Sequence, residues 1–470
     1  MMLIKTHPMR KIQRVHFVGI GGVGMCGIAE VLLNLGYQVS GSDVKENSAI
    51  KRLLKQGARV FIGQQASNVE NVEVVVVSTA IAVDNIEVIT AKQQRIPVIR
   101  RAEMLAEIMR FRHGIAIAGT HGKTTATSLT ASLLIEAGLD PTYVIGGKLN
   151  SAATHAKLGE SKYFVAEADE SDASFLLLQP MMAVVTNIDA DHLETHDGDF
   201  ERYKHSFVEF LHHLPFYGKA ILCLDDPENR QIMDKISRPV MTYGIESNAD
   251  VKATNIKCNG MQCHYDLVLP DNDDTINITL NMPGKHNVLN SLAAISVAFL
   301  LGIESKVMQK ALQTFDGISR RMQQYGEIET TKGNVLLVDD YAHHPTEIKA
   351  TLEAAKNAWH ERRIVVVFQP HRYTRTRDLF EDFSKVLAQA DALVVTEIYA
   401  AGEAHIAGAD GRALCAAIRA RGRVNPVFVA DLKDLNTTII DVIEKNDVLL
   451  TLGAGSIGSV VKKLPEALAK

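Results

Sequence analysis

A glycine-rich loop between a short apolar run and a helical pattern constrains this chain more than any other feature. Residues 114–118 (GIAIA) predict a buried strand, residues 119–125 (GTHGKTT) follow at once, and leucines at helical spacing continue to a stop at Gly138. Glycines let the backbone wrap closely around phosphate oxygens, and a helix start offers unpaired N–H groups. The segment therefore predicts a phosphate-binding loop, in which Lys123 reaches the terminal phosphates and a threonine hydroxyl ligates Mg²⁺.

This loop differs from the common pattern GxxxxGK[ST]. The position that should carry the first glycine is Ile117, and a glycine stands instead at Gly119. We therefore interpret it as a compressed phosphate-binding loop. The alternative is a surface turn with a chance lysine, which the strand-to-helix context disfavours.

Composition and charge narrow the class of protein. The 470 residues are 46% hydrophobic and 22% charged, as in ordinary globular proteins, and the net charge of −5 gives no general attraction to nucleic acid. Residues 1–14 lack the apolar core of a signal peptide, and the longest apolar stretch, residues 72–83, is too short to span a bilayer. We expect a cytoplasmic protein with no nucleic-acid partner and no membrane insertion.

The cysteines are scattered and odd in number: Cys26, Cys223, Cys258, Cys263 and Cys415. Cys258 and Cys263 lie near each other, but no second cysteine or histidine pair completes a zinc pattern. We expect all five to be reduced thiols, as is usual in the cytosol.

Strands alternate with helical patterns along the chain, which predicts an α/β fold with parallel sheets and crossover helices. We predict an N-terminal Rossmann-like domain over residues 1–102, a central P-loop ATPase-type domain with a mixed sheet over 103–317, and a C-terminal Rossmann-like domain over 318–470. Residues 251–280 alternate in polarity and predict antiparallel hairpins within the central domain. Ligands are then expected at the carboxyl ends of the parallel strands.

A second phosphate-binding signature lies near the start of the chain. Residues 19–24 (GIGGVG) follow a predicted strand and open a helix, and Asp43 stands about twenty residues further on, at the end of the next strand. A pyrophosphate at this helix start is expected, with Asp43 or Ser42 touching a ribose or base. The alternatives are a purely structural turn and, from this signature alone, an NAD-dependent oxidoreductase.

Two phosphate sites in one chain favour ATP at one and a nucleotide-linked substrate at the other. Residues 167–172 (EADESD) follow a predicted strand, and Glu167 is our choice for a carboxylate that holds Mg²⁺ against the phosphates. His192 follows another strand and is a candidate ligand of a second metal. A solvated acidic turn and a structural histidine are the alternatives.

Two polar clusters follow strands of the third segment. Residues 339–345 (DDYAHHP) suit a catalytic or substrate-orienting loop that leads into a helix. Residues 371–377 (HRYTRTR) carry several guanidinium groups, which bind a carboxylate or phosphate through paired hydrogen bonds. Cations at a helix start oppose its dipole, so an anionic partner is favoured over a merely solvated basic turn.

Taken together, these motifs resemble the Mur ligases, the ATP-dependent amide ligases of peptidoglycan precursor synthesis, along the whole chain. The matching elements are residues 119–125, Glu167, His192, residues 286–290, Arg321 and residues 340–343. The loop GT[HN]GK[ST] is specific to this superfamily, which also includes folylpolyglutamate synthetase. The resemblance implies a UDP-substrate domain, a P-loop ATPase domain and a C-terminal Rossmann-like domain that contacts the amino acid and ATP.

Finer details resemble the branch that joins L-alanine to the lactyl carboxylate of UDP-N-acetylmuramate. These are GIGGVG at 19–24, EADESDASF at 167–175, DDYAHHP at 339–345 and HRYTRTRD at 371–378. Sister ligases carry a carbamylated lysine four residues after a tyrosine, whereas here Tyr203 places Phe207 at that position. No carbamate is therefore expected, which leaves the second-metal shell open.

The resemblance implies roles for individual residues. Catalytic roles are expected for Lys123, Glu167, His192, Arg321, Asp340 and His343. ATP-binding roles are expected for Gly119, Thr120, His121, Gly122, Lys123, Thr124, Thr125, His286, Asn287, Asn290, Arg321 and Asp340. Substrate-binding roles are expected for Gly19, Ile20, Gly21, Gly22, Gly24, Ser42, Asp43, Ser78, Thr79, Ala80, Tyr341, His343, Arg372 and Arg375. Metal ligands are expected at Thr124, Glu167 and His192.

The expected cofactors are ATP and Mg²⁺, with Mn²⁺ as an alternative metal, and the expected partners are UDP-N-acetylmuramate and L-alanine. The protein is expected to be a monomer or a homodimer. The nearest alternative is another ligase of this type, which adds a tripeptide or another amino acid to a UDP-muramyl substrate. A protein that hydrolyses ATP without ligation is the other.

Overall fold

The computed structural model describes residues 9, 12–78, 80–149, 154–270 and 274–469. The chain forms two compact units. The first unit consists of the described parts of Met1–Asn255, Tyr265–Thr279 and Val288–Asp316, and the second of Ile256–His264, Leu280–Asn287 and Gly317–Lys470. Three β-sheets follow one another along the chain, which confirms the α/β fold class predicted from the alternation of strands and helices.

The first sheet has five parallel strands in the order β3-β2-β1-β4-β5. Its elements are β1 (Arg14–Val18), α1 (Val23–Asn34), β2 (Gln38–Asp43), α2 (Ser48–Lys55), β3 (Arg59–Ile62), β4 (Val74–Val77), α3 (Ile86–Gln93), β5 (Val98–Arg100) and α4 (Arg101–Met109). The order reverses between β1 and β4, so the sheet has a switch point beside the glycine loop that follows β1. Such a point is where doubly wound sheets bind their ligands.

The central sheet has ten strands in the order β15-β14-β13-β12-β11-β10-β6-β9-β7-β8. Its elements are β6 (His113–Ala118), α5 (Lys123–Glu136), β7 (Thr142–Leu149), β8 (Thr154–Lys157), β9 (Tyr163–Glu167), β10 (Met182–Val185), α6 (Phe200–His212), β11 (Lys219–Cys223), α7 (Pro227–Met233), β12 (Val240–Gly244), β13 (Val251–Asn259), β14 (Gln262–Val268), β15 (Ile276–Leu280), α8 (Lys285–Leu300) and α9 (Ser305–Gln313). Strand β6 pairs in parallel with β9 on one side and β10 on the other, so the carboxyl ends of these three strands meet at one edge.

The hairpin of β13 and β14 corrects one expectation from the sequence. Cys258 and Cys263 form a disulfide, with Cα atoms 4.0 Å apart, so the prediction of five reduced thiols is wrong for this pair. The physical reason is the two-residue connection of the hairpin, which places residues five apart opposite each other. Cys26, Cys223 and Cys415 are free and buried, as predicted.

The C-terminal sheet has six strands in the order β16-β17-β21-β18-β19-β20. Its elements are β16 (Gln323–Thr330), β17 (Gly333–Asp340), α10 (Pro345–Ala358), β18 (Ile364–Phe368), α11 (Tyr373–Asp378), α12 (Phe380–Leu387), β19 (Ala392–Thr396), α13 (Gly411–Ala420), β20 (Val427–Val429), α14 (Leu435–Val442), β21 (Val448–Leu452), α15 (Ile457–Val461) and α16 (Leu464–Leu468). The pairing of β16 with β17 is antiparallel, an addition that the sequence reading did not anticipate; the other pairings that involve β17 to β21 are parallel.

The hydrophobic cores follow from the strand pattern. All five residues of β18 are buried, and they alternate between two cores: Val366 and Phe368 lie in one, and Val365 and Val367 in the other. A strand covered on both faces by helices requires such a continuous apolar run. In the first unit, α1 packs against β7 and β8, so the first sheet and part of the central sheet share one core.

Candidate active site

The predicted phosphate-binding loop connects β6 to α5. Gly119 and Gly122 have φ angles of +123° and +82°, in the left-handed region that favours glycine. A Cβ atom on Gly119 would lie 2.1 Å from Thr186 Oγ1, and one on Gly122 would lie 2.4 Å from Asn290 Oδ1. The space at Gly119 therefore excludes a side chain, and the left-handed φ at Gly122 favours glycine there as well.

The end of β10 holds this loop in place. Thr186 Oγ1 donates to the His121 carbonyl at 2.6 Å, and the side-chain amide of Asn187 bonds to both the N–H and the carbonyl of His121. His121 Nε2 lies 2.9 Å from a carboxylate oxygen of Asp189. The loop is therefore anchored by the segment that follows β10.

Three residues that hold the phosphate-binding loop were not predicted from the sequence. Thr186 and Asn187 are polar residues that follow a strand, which is a common pattern. Tyr203 belongs to the later helix α6, and its hydroxyl lies 3.0 Å from Thr120 Oγ1. Because their partners lie more than sixty residues away in sequence, no local pattern pointed to these contacts.

Lys123 is the first residue of α5 and is fully engaged. Its Nζ donates to the carbonyls of Gly119 and Thr120 at 2.6 and 3.0 Å, and to Glu170 Oε1 at 2.8 Å. Burial works to lower the pKa of Lys123, but the nearby carboxylates of Glu170 and Asp169 outweigh it, so that pKa lies above its ordinary value. The sequence did not predict a role for Glu170, although it lies in the acidic segment 167–172.

The expected metal ligands occupy one edge of the central sheet. Glu167 is the last residue of β9, and its Oε2 accepts the Gly146 N–H at 2.8 Å. Thr124 is partly accessible, whereas Thr125 is buried, so Thr124 is the better placed hydroxyl. His192 follows β10 with φ at +56°, and its Nε2 lies 3.4 Å from Asp191 Oδ2. Carboxylate and hydroxyl oxygens are the donors that Mg²⁺ prefers, so Glu167 and Thr124 fit that ion, while His192 offers a nitrogen.

The first glycine loop is fastened by the end of β2. Asp43 Oδ2 accepts the Gly21 N–H at 2.9 Å, and Asn47 Nδ2 donates to the Gly21 carbonyl at 3.1 Å. A Cβ atom on Gly21 would lie 2.6 Å from Asn47 Nδ2 and 2.8 Å from Asp43 Oδ2. Gly19 has φ at +78°, Ile20 is buried, Gly22 caps α1 and Gly24 lies in its first turn.

Ser42 turns its side chain away from that loop, toward Glu87. Its side chain is fully buried, and its hydroxyl donates to Glu87 Oε2 at 2.6 Å. Glu87 also accepts from Asn68 Nδ2 at 2.6 Å. Since β2 continues to Asp43 and successive strand residues point to opposite faces, only one of Ser42 and Asp43 can face the loop. Ser78 and Ala80 follow β4, and Thr79 lies outside the described residues.

A second set of predicted residues lies in the second unit, around the start of α10. Asp340 is buried and accepts the N–H groups of Met322 and Ala342 at 2.7 and 2.8 Å. Burial raises the pKa of Asp340 to about 6, although the Arg321 guanidinium acts in the other direction. The carboxylate thus fixes the backbone beside Arg321 and Tyr341, and the Tyr341 ring lies 5.3 Å from the Arg321 guanidinium.

His343 is enclosed by polar partners. Its Nδ1 lies 3.0 Å from the Tyr341 carbonyl and 3.2 Å from Glu347 Oε2, and its ring centre is 5.8 Å from that of His371. Burial lowers the pKa of His343 to about 3, against the opposing effect of Glu347. Since both neighbours of Nδ1 are acceptors, the proton of the neutral ring lies on Nδ1.

The arginine cluster joins the same group. Arg375 is 7% exposed, and its Nη1 lies 3.4 Å from His371 Nδ1. Arg372 precedes α11 with φ at +70°, and its N–H donates to the Tyr399 carbonyl at 2.9 Å. The structure therefore brings the predicted cluster 371–377 beside His343, although the two motifs lie almost thirty residues apart.

The remaining predicted residues lie at the start of α8. His286 belongs to the second unit, where burial lowers its pKa to about 4 with help from the Arg321 guanidinium. Asn287 Nδ2 donates to the Pro283 carbonyl at 2.8 Å. Asn290 belongs to the first unit and lies against Gly122 of the phosphate-binding loop.

Three segments of the chain match models of known protein families. Residues 14–113 match the family model described as Mur ligase family, catalytic domain, residues 117–298 match Mur ligase middle domain, and residues 320–455 match Mur ligase, glutamate ligase domain. The chain belongs to the Mur ligase family. The resemblance inferred from the motifs is thereby confirmed along nearly the whole length of this Mur ligase.

One relative in sequence and two solved structures are similar to the chain over almost its whole length. The UDP-N-acetylmuramate--L-alanine ligase of Methylococcus capsulatus is 56% identical to this Mur ligase over 467 residues, which is 99% of each chain. The solved UDP-N-acetylmuramate-alanine ligase of Thermotoga maritima is 28% identical, with a TM-score of 0.81 over 96% of this chain and 98% of its own. The murein peptide ligase of Psychrobacter arcticus is 25% identical, with a TM-score of 0.72 over 97% and 99%.

In the part of the chain that the structure describes, no helix is both long enough and apolar enough to span a membrane.

Proposed function

We propose that this Mur ligase uses ATP to join L-alanine to the lactyl carboxylate of UDP-N-acetylmuramate, giving ADP and phosphate. The observation that carries the proposal is the 56% identity, over 99% of both chains, with a relative that bears this activity in its name. The anchored phosphate-binding loop and the cluster of His343 and Arg375 supply the two kinds of site that such a reaction needs.

The chemistry requires activation of the carboxylate. A carboxylate does not condense with an amine at neutral pH, because oxide is a very poor leaving group. Transfer of the γ-phosphoryl group of ATP to a carboxylate oxygen gives an acyl phosphate, in which phosphate is a good leaving group. The alanine amine then attacks the carbonyl carbon, and the C–O bond to phosphate breaks as the amide forms.

The loop between β6 and α5 provides the charge that this transfer needs. The N–H groups of the first turn of α5 have no partner within the helix and point toward an anion placed at its start. Lys123 adds a positive charge at the same point, which stabilises the charge that develops on the transferred phosphoryl group. Thr124, Glu167 and His192 would hold Mg²⁺, which neutralises phosphate charge when bound.

The sugar nucleotide is assigned to the first sheet. The loop over residues 19–24 opens α1 and lies at the switch point between β1 and β4, where its backbone can hold a diphosphate. Asp43 and Asn47 fix Gly21 of this loop, and Asp43 stays a predicted contact of the ribose or base. Ser78 and Ala80, at the end of β4, border the same place.

Alanine is assigned to the cluster in the second unit. Arg372 and Arg375 can bind its carboxylate, since guanidinium groups match the geometry of a carboxylate. A neutral His343, with its proton on Nδ1, offers Nε2 as an acceptor for the amine. The low pKa of His343, about 3, makes this ring a positioning acceptor rather than a proton store at neutral pH.

A phosphate-release assay with UDP-N-acetylmuramate and single amino acids tests the proposal. We expect release that depends on both the sugar nucleotide and L-alanine. Release that depends on a tripeptide instead would support the recycling type of ligase, substrate-independent hydrolysis would support a simple ATPase, and turnover of NADH would support an oxidoreductase. Each of these three results would overturn the proposal.

The variant Lys123→Ala separates the two nucleotide sites. We expect it to abolish phosphate release while binding of UDP-N-acetylmuramate is kept, because the sugar nucleotide is held by the other glycine loop. Lys433→Ala, which removes an exposed lysine, serves as the control and should leave both unchanged. Loss of UDP-sugar binding in Lys123→Ala would contradict the division of the sites.

Mg²⁺ as the metal, a cytoplasmic location and a monomeric or homodimeric state belong to this proposal and stay predictions. Metal dependence is checked by adding Mg²⁺ to enzyme treated with a chelator, and the oligomeric state by sedimentation.

A further inference from the structure

The contacts of Lys123 leave its ammonium group no free donor. An ammonium group has three N–H donors, and all three are used by the carbonyls of Gly119 and Thr120 and by Glu170. A phosphate group that enters the loop must therefore replace at least one of these partners. The two carbonyls are neutral and belong to the loop itself, so Glu170 is the only anionic partner among them.

The Glu170 carboxylate is buried, so the loss of its bond to Lys123 has an energetic cost. Its side chain is only 1% exposed, while that of Lys123 is 19% exposed. Its second oxygen, Oε2, is buried and has no hydrogen-bond partner among the described residues. If Lys123 moves to a phosphate, Oε1 loses its bond to the ammonium group while Oε2 stays buried, which is strongly unfavourable for a charged group.

We propose that Glu170 is a positioning residue that competes with the phosphates of ATP for the ammonium group of Lys123. Through its contact with Lys123, Glu170 takes the place that a phosphate oxygen would occupy and holds the ammonium group at the start of α5. When ATP binds, the phosphates repel Glu170 and take over its hydrogen bond. Glu170 thereby weakens the binding of ATP and, by the same competition, speeds the release of ADP. This inference rests on the proposed function, because it assigns ATP to this loop.

The electrostatics of the pair agree with this arrangement. Burial raises the pKa of Glu170 to about 7, against the lowering effect of Lys123, and the carboxylate of Asp169 raises it further. The two carboxylates differ in their contact with the lysine. Among the described residues, the Asp169 side chain is 40% exposed and contacts Arg101 and Ser171 rather than the ammonium group of Lys123. Asp169 therefore supplies a matched control for charge alone.

The test compares wild type with Glu170→Gln and Asp169→Asn by calorimetric titration with a non-hydrolysable ATP analogue, in the absence of UDP-N-acetylmuramate. Glutamine keeps the shape and an acceptor oxygen but loses the charge. We expect the Kd of Glu170→Gln for the analogue to fall about tenfold, and that of Asp169→Asn to change less than about twofold, because the Asp169 charge is partly exposed and paired with Arg101. In the assay, the KM of Glu170→Gln for ATP should fall without a rise in kcat.

Equal or weaker binding of the analogue by a folded Glu170→Gln would overturn the inference, and so would an equal gain in Asp169→Asn. Folding is checked by unchanged binding of UDP-N-acetylmuramate. If Glu170→Gln does not fold, Glu170→Asp serves in its place: it keeps the charge but is one methylene too short for the contact, and it should also bind the analogue more tightly. Failure of wild type to bind the analogue would instead count against the proposed function.

Discussion

Asn187 binds His121 of the phosphate-binding loop through both ends of its side-chain amide. Its Oδ1 accepts the His121 N–H at 2.8 Å, and its Nδ2 donates to the His121 carbonyl at 3.0 Å. The Asn187 carbonyl also accepts the Thr120 N–H at 3.0 Å. One residue at the end of β10 therefore fixes three consecutive peptide groups of the loop.

Asn187→Ala should loosen the loop without removing any group that touches the phosphates. The variant loses two side-chain hydrogen bonds of about 1 kcal/mol each, so the Kd for an ATP analogue should rise at least about tenfold. Titration calorimetry measures this change. Asn277→Ala, which removes an exposed amide that donates to Asp266, is the control and should bind as wild type does. Unchanged affinity in Asn187→Ala would mean that the loop keeps its shape without this contact.

Phe207 of α6 lies in a buried aromatic cluster. Its ring is fully buried, with ring centres of Phe175 and Tyr203 each 5.2 Å away. We expect Phe207→Ala to reduce the free energy of unfolding by about 3–5 kcal/mol, since it leaves a cavity in a packed aromatic cluster. Phe216→Ala, at a ring that is 83% exposed, should change it by less than about 0.5 kcal/mol. Urea unfolding followed by circular dichroism compares the two, and similar losses would contradict the packing described.

The neutral state of His343 predicts a dependence of stability on pH. Its pKa is about 3 in the folded protein, against the ordinary value of 6.5, so the unfolded chain binds a proton that the folded chain does not between those two values. The contribution of His343 to the free energy of unfolding is therefore complete above pH 6.5. It is lost as the pH falls toward 3, by up to about 1.4 kcal/mol per pH unit. In His343→Gln this part of the acid sensitivity should be absent.

The single tryptophan offers a local measurement of that effect. Trp359 lies at the end of α10 and packs against the core of the second unit, so its fluorescence reports unfolding there. Urea midpoints of wild type and His343→Gln should converge as the pH is lowered from 7.5 to 4.5. His360→Gln, at an exposed imidazole, is the control and should run parallel to wild type. Parallel curves for His343→Gln would show that His343 is not held neutral.

Much of this molecule could be predicted from local patterns. The buried strands before each motif, the helices after them and the two glycine loops lie where apolar runs, glycine positions and helix stops indicated. These features depend on residues within about ten positions of one another. The family followed from the motifs, because GTHGKTT combines a glycine spacing and a lysine that few loops share.

The contacts that complete the site depend on the register between distant segments. The alternation of β2 places the Ser42 hydroxyl against Glu87, a contact that no local pattern indicated. The pairing of Lys123 with Glu170 spans 47 residues, and that of Thr120 with Tyr203 spans 83. The disulfide of Cys258 with Cys263 required the exact turn of a hairpin. Such relationships follow from tertiary packing and not from any local pattern.

Acyl-phosphate formation is tested most directly by following the oxygen atoms of the lactyl carboxylate during the reaction. UDP-N-acetylmuramate is labelled with ¹⁸O in its lactyl carboxylate and incubated with the enzyme, ATP and L-alanine, and the released phosphate is analysed by mass spectrometry. If the carboxylate is activated as an acyl phosphate, one labelled oxygen passes to phosphate for each amide formed. Phosphate that carries no ¹⁸O, released while the amide still forms, would contradict the account.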